Sequence, residues 1–405
     1  MIAVLRSSWP LLLGVLLLLL GNGMQGTVLG LRGAMEGYDA PTMSWVMSAY
    51  FAGFLIGARL TPRMIRRVGH VRVFAALGAV IAAAFVTYAE AVSPLAWMGL
   101  RFVVGFCFCG VYVTAESWLN EAATNESRGK ALSLYMIAQM LGIISAQGIV
   151  ALADPGGHRL FVVMSVLVSL SFLPILLSAG TAPAYRFAAP MTLRTLFRIS
   201  PLGCVGTLLL GGIYAGLFSM PAVWGAERGL TTDQTAAFVA SIYVGGLIAL
   251  YPLGWLSDRM ERRLLILALA AVGASAAILA LPLLDRFAVV LALGALLGAV
   301  TNPLYSLLIA YTNDFLSRED MPAASGGLQL MNGAGAILGT LALGGLMGRF
   351  GPDAFFALEA ALFAVLAGYA LWRATRRAAP PPAPHTPVTA QASPVAMESA
   401  ARSGR

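Results

Sequence analysis

About twelve stretches of roughly 20 mostly apolar residues, separated by short polar breaks, run through this 405-residue chain and restrict its fold more than any other feature. The hydrocarbon core of a bilayer needs about 20 such residues per helix. The runs lie at 9–31, 43–60, 73–91, 95–115, 131–153, 160–178, 202–224, 235–255, 264–284, 287–311, 323–347 and 354–372. Inside lipid no water can satisfy an open peptide group, so each run must close its hydrogen bonds within itself, as a helix does. Hydrophobic residues make up 59% of the chain and charged residues 11%, a balance no water-soluble domain shows. The expected fold class is an all-α polytopic membrane protein with 12 transmembrane helices.

The net charge of +8 would suit nucleic acid only on a soluble basic face with stacking aromatics, and no such face is found. Placing the amino terminus in the cytoplasm puts Arg6, Arg59 to Arg72, Arg128, Lys130, Arg186, Arg194, Arg198, Arg259 to Arg263, Arg318 and the five tail arginines inside, 20 of the 26 basic residues. That asymmetry is the positive-inside pattern, so the charge reports topology. The expected location is the inner membrane of a bacterial cell, multi-pass, with both termini cytoplasmic. Arg6 and the leucine run after it read as a first helix, too long for a signal peptide and without a small-residue cleavage site. Cys107, Cys109 and Cys204 fall inside spans and read as packed thiols. With three histidines, neither a zinc site nor any cofactor is expected.

The two halves look duplicated. Gly57-Ala58-Arg59 with Arg63, Arg66 and Arg67 stands 197 residues before Gly254, which opens a turn carrying Asp258, Arg259, Glu261, Arg262 and Arg263. At the same offset Gly14, Gly129, Gly142 and Gly148 map onto Gly211, Gly326, Gly339 and Gly345. Two six-helix halves of like orientation place a substrate site between them at mid-membrane. Residues 1–178 form the first half, 179–200 a cytoplasmic linker with Pro183 and Pro190, and 201–377 the second half. The Pro/Ala/Ser-rich stretch 378–405 cannot bury a core and reads as a disordered tail.

Twelve spans in two halves, a basic linker, and Gly254, Asp258, Arg259, Arg262 and Arg263 after the eighth span resemble the major facilitator superfamily over about 9–377. In that family Gly normally stands where this chain has Glu261, and Asp where it has Thr61 or Pro62. Tyr50-Phe51-Ala52-Gly53-Phe54, Val68-Gly69-His70-Val71-Arg72, Glu116-Ser117-Trp118-Leu119-Asn120 and Tyr251-Pro252-Leu253-Gly254 resemble a bacterial branch, the YcaD-like permeases. The resemblance implies transport by alternating access, with two pseudo-symmetric six-helix bundles and no settled substrate.

A cytoplasmic gate follows from the charges on these turns. Asp258 is expected to meet Arg128 or Lys130 at the start of the fifth helix, where free N–H groups also favour an anion. Arg63, Arg66 or Arg67 is expected to meet Glu319 or Asp320, which precede Pro322 at a helix start. Gly57, Glu116, Gly254, Arg259, Arg262 and Arg263 complete the candidate gate. Exposed ion pairs contribute about 0–1 kcal/mol each, so only a network could bias two conformations.

Within the spans, ionisable groups are costly and mark candidate sites. Arg101 lies in the fourth, where it could hold an anionic substrate group, a coupling carboxylate, or a structural partner such as Glu36 or Glu90. Glu359, in the twelfth, reads as a snorkelling or structural acid, and no strong buried carboxylate supports proton coupling. Uncharged pairs spaced i, i+3 share a helix face: Asn22 with Gln25, Asn302 with Tyr305, Gln329 with Asn332. Tyr112, Gln139, Tyr214 and Tyr243 complete the candidate cavity lining. Residues 21–26 match a dinucleotide fingerprint but sit in a leucine-rich helix, so close helix approach is the better reading. No Walker loop or nucleophile elbow is present, and an enzyme is not expected. The expected function is secondary or facilitative transport of a small polar or amphipathic solute by a monomer in the lipid bilayer, with the proton as the candidate coupling ion. A drug/proton antiporter and a non-transporting membrane sensor are the alternatives.

Overall fold

The computed structural model describes residues 2–122, 128–177, 191–257, 259–317 and 320–376. Among them the regular structure is helical: α1 (Ile2–Met35), α2 (Ala40–Val68), α3 (His70–Glu90), α4 (Pro94–Ala122), α5 (Arg128–Ala151), α6 (Arg159–Leu176), α7 (Leu193–Ile199), α8 (Pro201–Ser219), α9 (Pro221–Glu227), α10 (Thr232–Ser257), α11 (Arg262–Ala280), α12 (Phe287–Asn313), α13 (Met321–Phe350) and α14 (Ala354–Ala374). Eleven are long and apolar enough to cross a membrane, and the sixth expected run forms the shorter apolar helix α6. Exposed Trp45, Ile248, Leu279, Leu338 and Val365 stud the helix surfaces, an apolar exterior suited to lipid.

The seventh expected run, 202–224, is interrupted. Pro221 has no N–H to continue a helical ladder, so α8 stops at Ser219 and α9 begins at Pro221. The end of the expected linker is also helical. Thr192 caps α7 by accepting from the Thr195 amide at 3.2 Å. The tail lies outside the described residues.

Two compact units emerge, one of Met1–Arg186 with Phe218–Ala240 and one of Phe187–Leu217 with Ser241–Arg405, each taken over its described residues. In the first, α1 packs on α5, α6 and α9, while α4 packs on α2 and α3. In the second, α11 packs on α12 and α14, and α13 on α14.

The same crossings recur in both units, and glycine makes them. A β-carbon at Gly105 would strike the Tyr50 carbonyl oxygen and one at Gly53 the Phe102 carbonyl, so α2 and α4 touch backbone to backbone. Gly298 against Ile242 and Gly245 against Ala295 repeat this between α10 and α12. Gly142 on Leu16 and Gly335 on Leu208 are a second matched pair. Small residues bring helices this close in lipid, where packing replaces the hydrophobic drive.

These pairs correct the repeat register. Ala40 and Thr232, and His70 and Arg262, begin equivalent helices 192 residues apart, and Pro94 and Phe287 stand 193 apart. The offset of 197 is therefore wrong. It matched Gly57, which packs against the Phe106 carbonyl, to Gly254, whereas at 192 the counterpart of Gly57 is Ala249, five residues earlier on α10. At 192, Glu261 falls opposite Gly69, whose φ of 87° ends α2 in a conformation open to glycine.

Candidate functional site

Arg101 lies on α4 with 5% of its surface exposed, and four helices build its surroundings. Its Nη1 donates to Gln25 Oε1 of α1 at 2.9 Å. Gln25 Nε2 in turn donates to the Tyr88 hydroxyl of α3 at 2.9 Å. The guanidinium also lies 4.8 Å from the centroid of the Tyr50 ring on α2, a cation–π contact. Trp97 fixes the chain around Tyr88 by donating from Nε1 to its carbonyl at 3.2 Å. Arg101 Nε has no partner.

Among the described residues no carboxylate pairs with Arg101. Its two expected structural partners are taken: Glu36 binds Arg32 at 2.6 Å, and Glu90 faces His158 at 3.2 Å. A buried cation with one amide acceptor, one ring face and no counter-ion is poorly compensated.

A second polar cluster stands lower on the same helix. Glu116 is 1% exposed and accepts from the Tyr135 hydroxyl of α5 at 3.2 Å. Gln139 reaches the same tyrosine. Fifteen residues at 1.5 Å each separate Arg101 from Glu116 by roughly 22 Å, so these are two sites. Between them Tyr112 packs on Phe54 and Phe108. Glu116, a candidate gate residue, is thus a buried acid near the end of α4.

Asn22 sits beside the Tyr50 hydroxyl, near the Arg101 cluster that Gln25 enters directly. Glycines of the 21–26 run pack as expected of close helix approach, Gly23 on Ile143 of α5 and Gly21 on Val168 of α6. In the second unit the amides are absorbed into helix packing. Asn302 Nδ2 donates to the Gly298 carbonyl of its own helix at 3.2 Å and covers Gly246, and Asn332 Nδ2 donates to the Thr207 carbonyl at 3.4 Å. Tyr214, Tyr243, Tyr305 and Gln329 are all buried in that unit.

Of the expected gate, Arg63, Arg66 and Arg67 are exposed on the last turns of α2, and Lys130 is exposed on α5. Asp258 and Glu319 lie outside the described residues, as does the Arg128 side chain. Arg259 stacks on Trp255 at 4.0 Å and Arg263 pairs with Glu261 at 2.7 Å. Asp320 precedes α13 without a side-chain cap and accepts from Ser317 Oγ at 2.7 Å. Gly254 and Ser257 line a small surface crevice with Pro303 and Ser306.

Arg262 departs from expectation. Instead of standing on an exposed turn it is 3% exposed and forms an ion pair with Asp314, tying the start of α11 to the end of α12. Burial pushes the Asp314 carboxyl above its ordinary value, and the Arg262 guanidinium opposes that shift. Sequence reasoning missed Asp314, Tyr50 and Tyr88.

The acids at the start of α2 show the opposite balance. Asp39 accepts from the Thr42 amide at 3.0 Å, and its bonds to Thr42 hold its carboxyl below 3.8. Glu227 of α9 accepts from the Ala40 amide at 3.1 Å, yet burial holds its carboxyl above 4.5.

Long apolar helices in two units with matched crossings, and few charged residues inside the spans, define a polytopic helical membrane protein. The family model of the Major Facilitator Superfamily matches residues 11–249 and again 202–404, and the chain belongs to that superfamily. It is 25% identical over 362 residues to an uncharacterized MFS-type transporter YcaD of Escherichia fergusonii, covering 88% of this chain and 93% of the relative. The homologue from Salmonella dublin is 25% identical over 361 residues, with the same coverage. Two crystal structures of the nucleoside transporter NupG share the fold. A mutant form gives a TM-score of 0.77 at 15% identity, over 90% of this chain and 99% of that one. The other gives 0.74 at 14% identity, over 90% and 98%.

Proposed function

We propose that this protein is a secondary transporter that moves a small solute with an anionic group by alternating access, and that Arg101 receives the anion. The observation that carries this reading is the buried guanidinium of Arg101, with a free Nε and no acidic partner among the described residues. A carboxylate or phosphate would supply the missing charge through the paired donors that a guanidinium offers. Gln25, Tyr50 and Tyr88 hold the guanidinium in place, so little ordering remains when a ligand binds.

A neutral, nucleoside-like solute is the second reading, favoured by the uncharged donors Asn22 and Gln25 beside the same site. Thermal unfolding of the purified protein against a panel of monocarboxylates, phosphate esters and nucleosides separates the two, because a ligand of the fold stabilises it by RT ln(1 + [L]/Kd). Stabilisation by anions, lost in Arg101→Gln, is expected. Stabilisation by nucleosides alone would overturn the anionic reading, and active hits are then followed as flux in proteoliposomes.

A further inference from the structure

Glu359 is 0% exposed on α14, and neither carboxylate oxygen has a hydrogen-bond partner. That position contradicts the snorkelling reading of this acid. Two glycines on α8 enclose it. A β-carbon at Gly216 would strike Glu359 Oε1 and lie 3.3 Å from its Cδ, while one at Gly212, a turn earlier, would lie 3.2 Å from Leu362. The backbone of α8 is thus pressed against the carboxyl.

The surrounding helices provide no charge to balance it. α8 carries Cys204 and Tyr214, α11 carries Arg262 and Arg263 in its first turn, and α13 carries Arg349 in its last. α14 itself carries Tyr369 and Arg373, with Asp353 just before it. None of these donates to Glu359. An ionised carboxylate enclosed this way is far costlier than a protonated one.

α8 ends at Ser219, three residues after Gly216, and α9 begins at Pro221. We infer that Glu359 is a proton-binding site whose occupancy sets the packing of α8 on α14. With the proton on the carboxyl, α8 closes over it at Gly216. Release of the proton to solvent leaves a carboxylate that must be hydrated, which parts the two helices and frees the end of α8. Glu359 is therefore the group through which a proton gradient would drive the transport cycle, an inference that rests on the transport reading.

The test needs no transported solute, so it can fail independently of the Arg101 reading. In a variant with Cys107, Cys109 and Cys204 replaced by alanine, Phe218→Cys reports the end of α8 through its rate of maleimide labelling. The labelling rate, corrected for maleimide reactivity with a free thiol at each pH, is expected to rise several-fold as pH increases. Glu359→Gln, a permanently neutral mimic, is expected to hold it at the low-pH rate throughout. Infrared difference spectra of the cysteine-free parent should show a protonated-carboxyl band that Glu359→Gln removes. Gly216→Ala, which crowds the carboxyl, should shift the labelling midpoint if Glu359→Gln does not fold. A pH-independent corrected rate in the parent, or an unchanged pH dependence in Glu359→Gln or in Gly216→Ala, overturns the inference.

Discussion

Arg262 and Asp314 form a buried ion pair, with side chains 2% and 8% exposed, that fastens the first turn of α11 to the end of α12. Breaking such a pair leaves one charge buried alone, which costs about 3–5 kcal/mol. Asp314→Asn is therefore expected to destabilise the purified protein strongly. Arg262→Met combined with Asp314→Leu should recover most of the loss, because two apolar side chains leave nothing to compensate. A double variant as unstable as the single one would show that this contact is not governed by charge.

Arg101 should respond differently, since its value lies in what it leaves unsatisfied. Arg101→Lys keeps the charge but loses the planar fork, and ligand binding or flux is expected to fall by about tenfold or more, ~1.4 kcal/mol or more. Stability in the absence of ligand should fall little or even rise in Arg101→Gln, because that substitution removes an uncompensated buried charge. Binding unchanged in both Arg101→Lys and Arg101→Gln would remove Arg101 from the site.

Glu227 gives a pH dependence of definite sign. Its carboxyl titrates above 4.5 in the folded chain because burial outweighs the Ala40 amide. Folding therefore favours the proton: this contribution is complete below pH 4.5 and is lost as pH rises through the higher folded value. Asp39 runs the other way, contributing above 3.8 and losing its cap as pH falls through its lower folded value. Thermal midpoints measured from pH 4 upward should decline less in Glu227→Gln than in the parent. Parallel profiles would refute the assignment.

Two glycine substitutions probe the crossings. Gly105→Ala drives a methyl into the Tyr50 carbonyl and is expected to cost about 1–3 kcal/mol. Gly99→Ala on the same helix meets nothing within 4 Å and should be neutral or slightly stabilising, as alanine is the better helix former. Thermal unfolding of the two variants side by side decides whether α2 and α4 meet as described.

The helices were legible because bilayer thickness sets their length, and runs such as 287–311 carry that length openly. Arg101 was legible for a related reason, as a lone ionisable residue in an apolar run. Tyr50, Tyr88 and Gln25, which hold it, come from three other helices, and no spacing along the chain links them. The repeat was visible but its register was not, since Gly57 and Gly254 both lie inside helices yet five residues out of step, and a shared residue type hid the slip. Asp314 passed unnoticed at a polar break where acids are ordinary. Glu359 stood out as an acid well separated from any polar break, but of its two readings, snorkelling or structural, sequence could not discard the first. What enclosed it is the side chain that Gly216 lacks, and an absent side chain leaves no mark in hydropathy.

The backbone contact of α2 with α4 has a mechanical outcome. A helix seated on its neighbour through Gly53 and Gly105 cannot slide lengthwise by one residue without driving a larger side chain into a carbonyl. The two must therefore tilt as one plank, and because α4 bears Arg101 toward one end and Glu116 toward the other, any tilt swings the two charges in opposite directions.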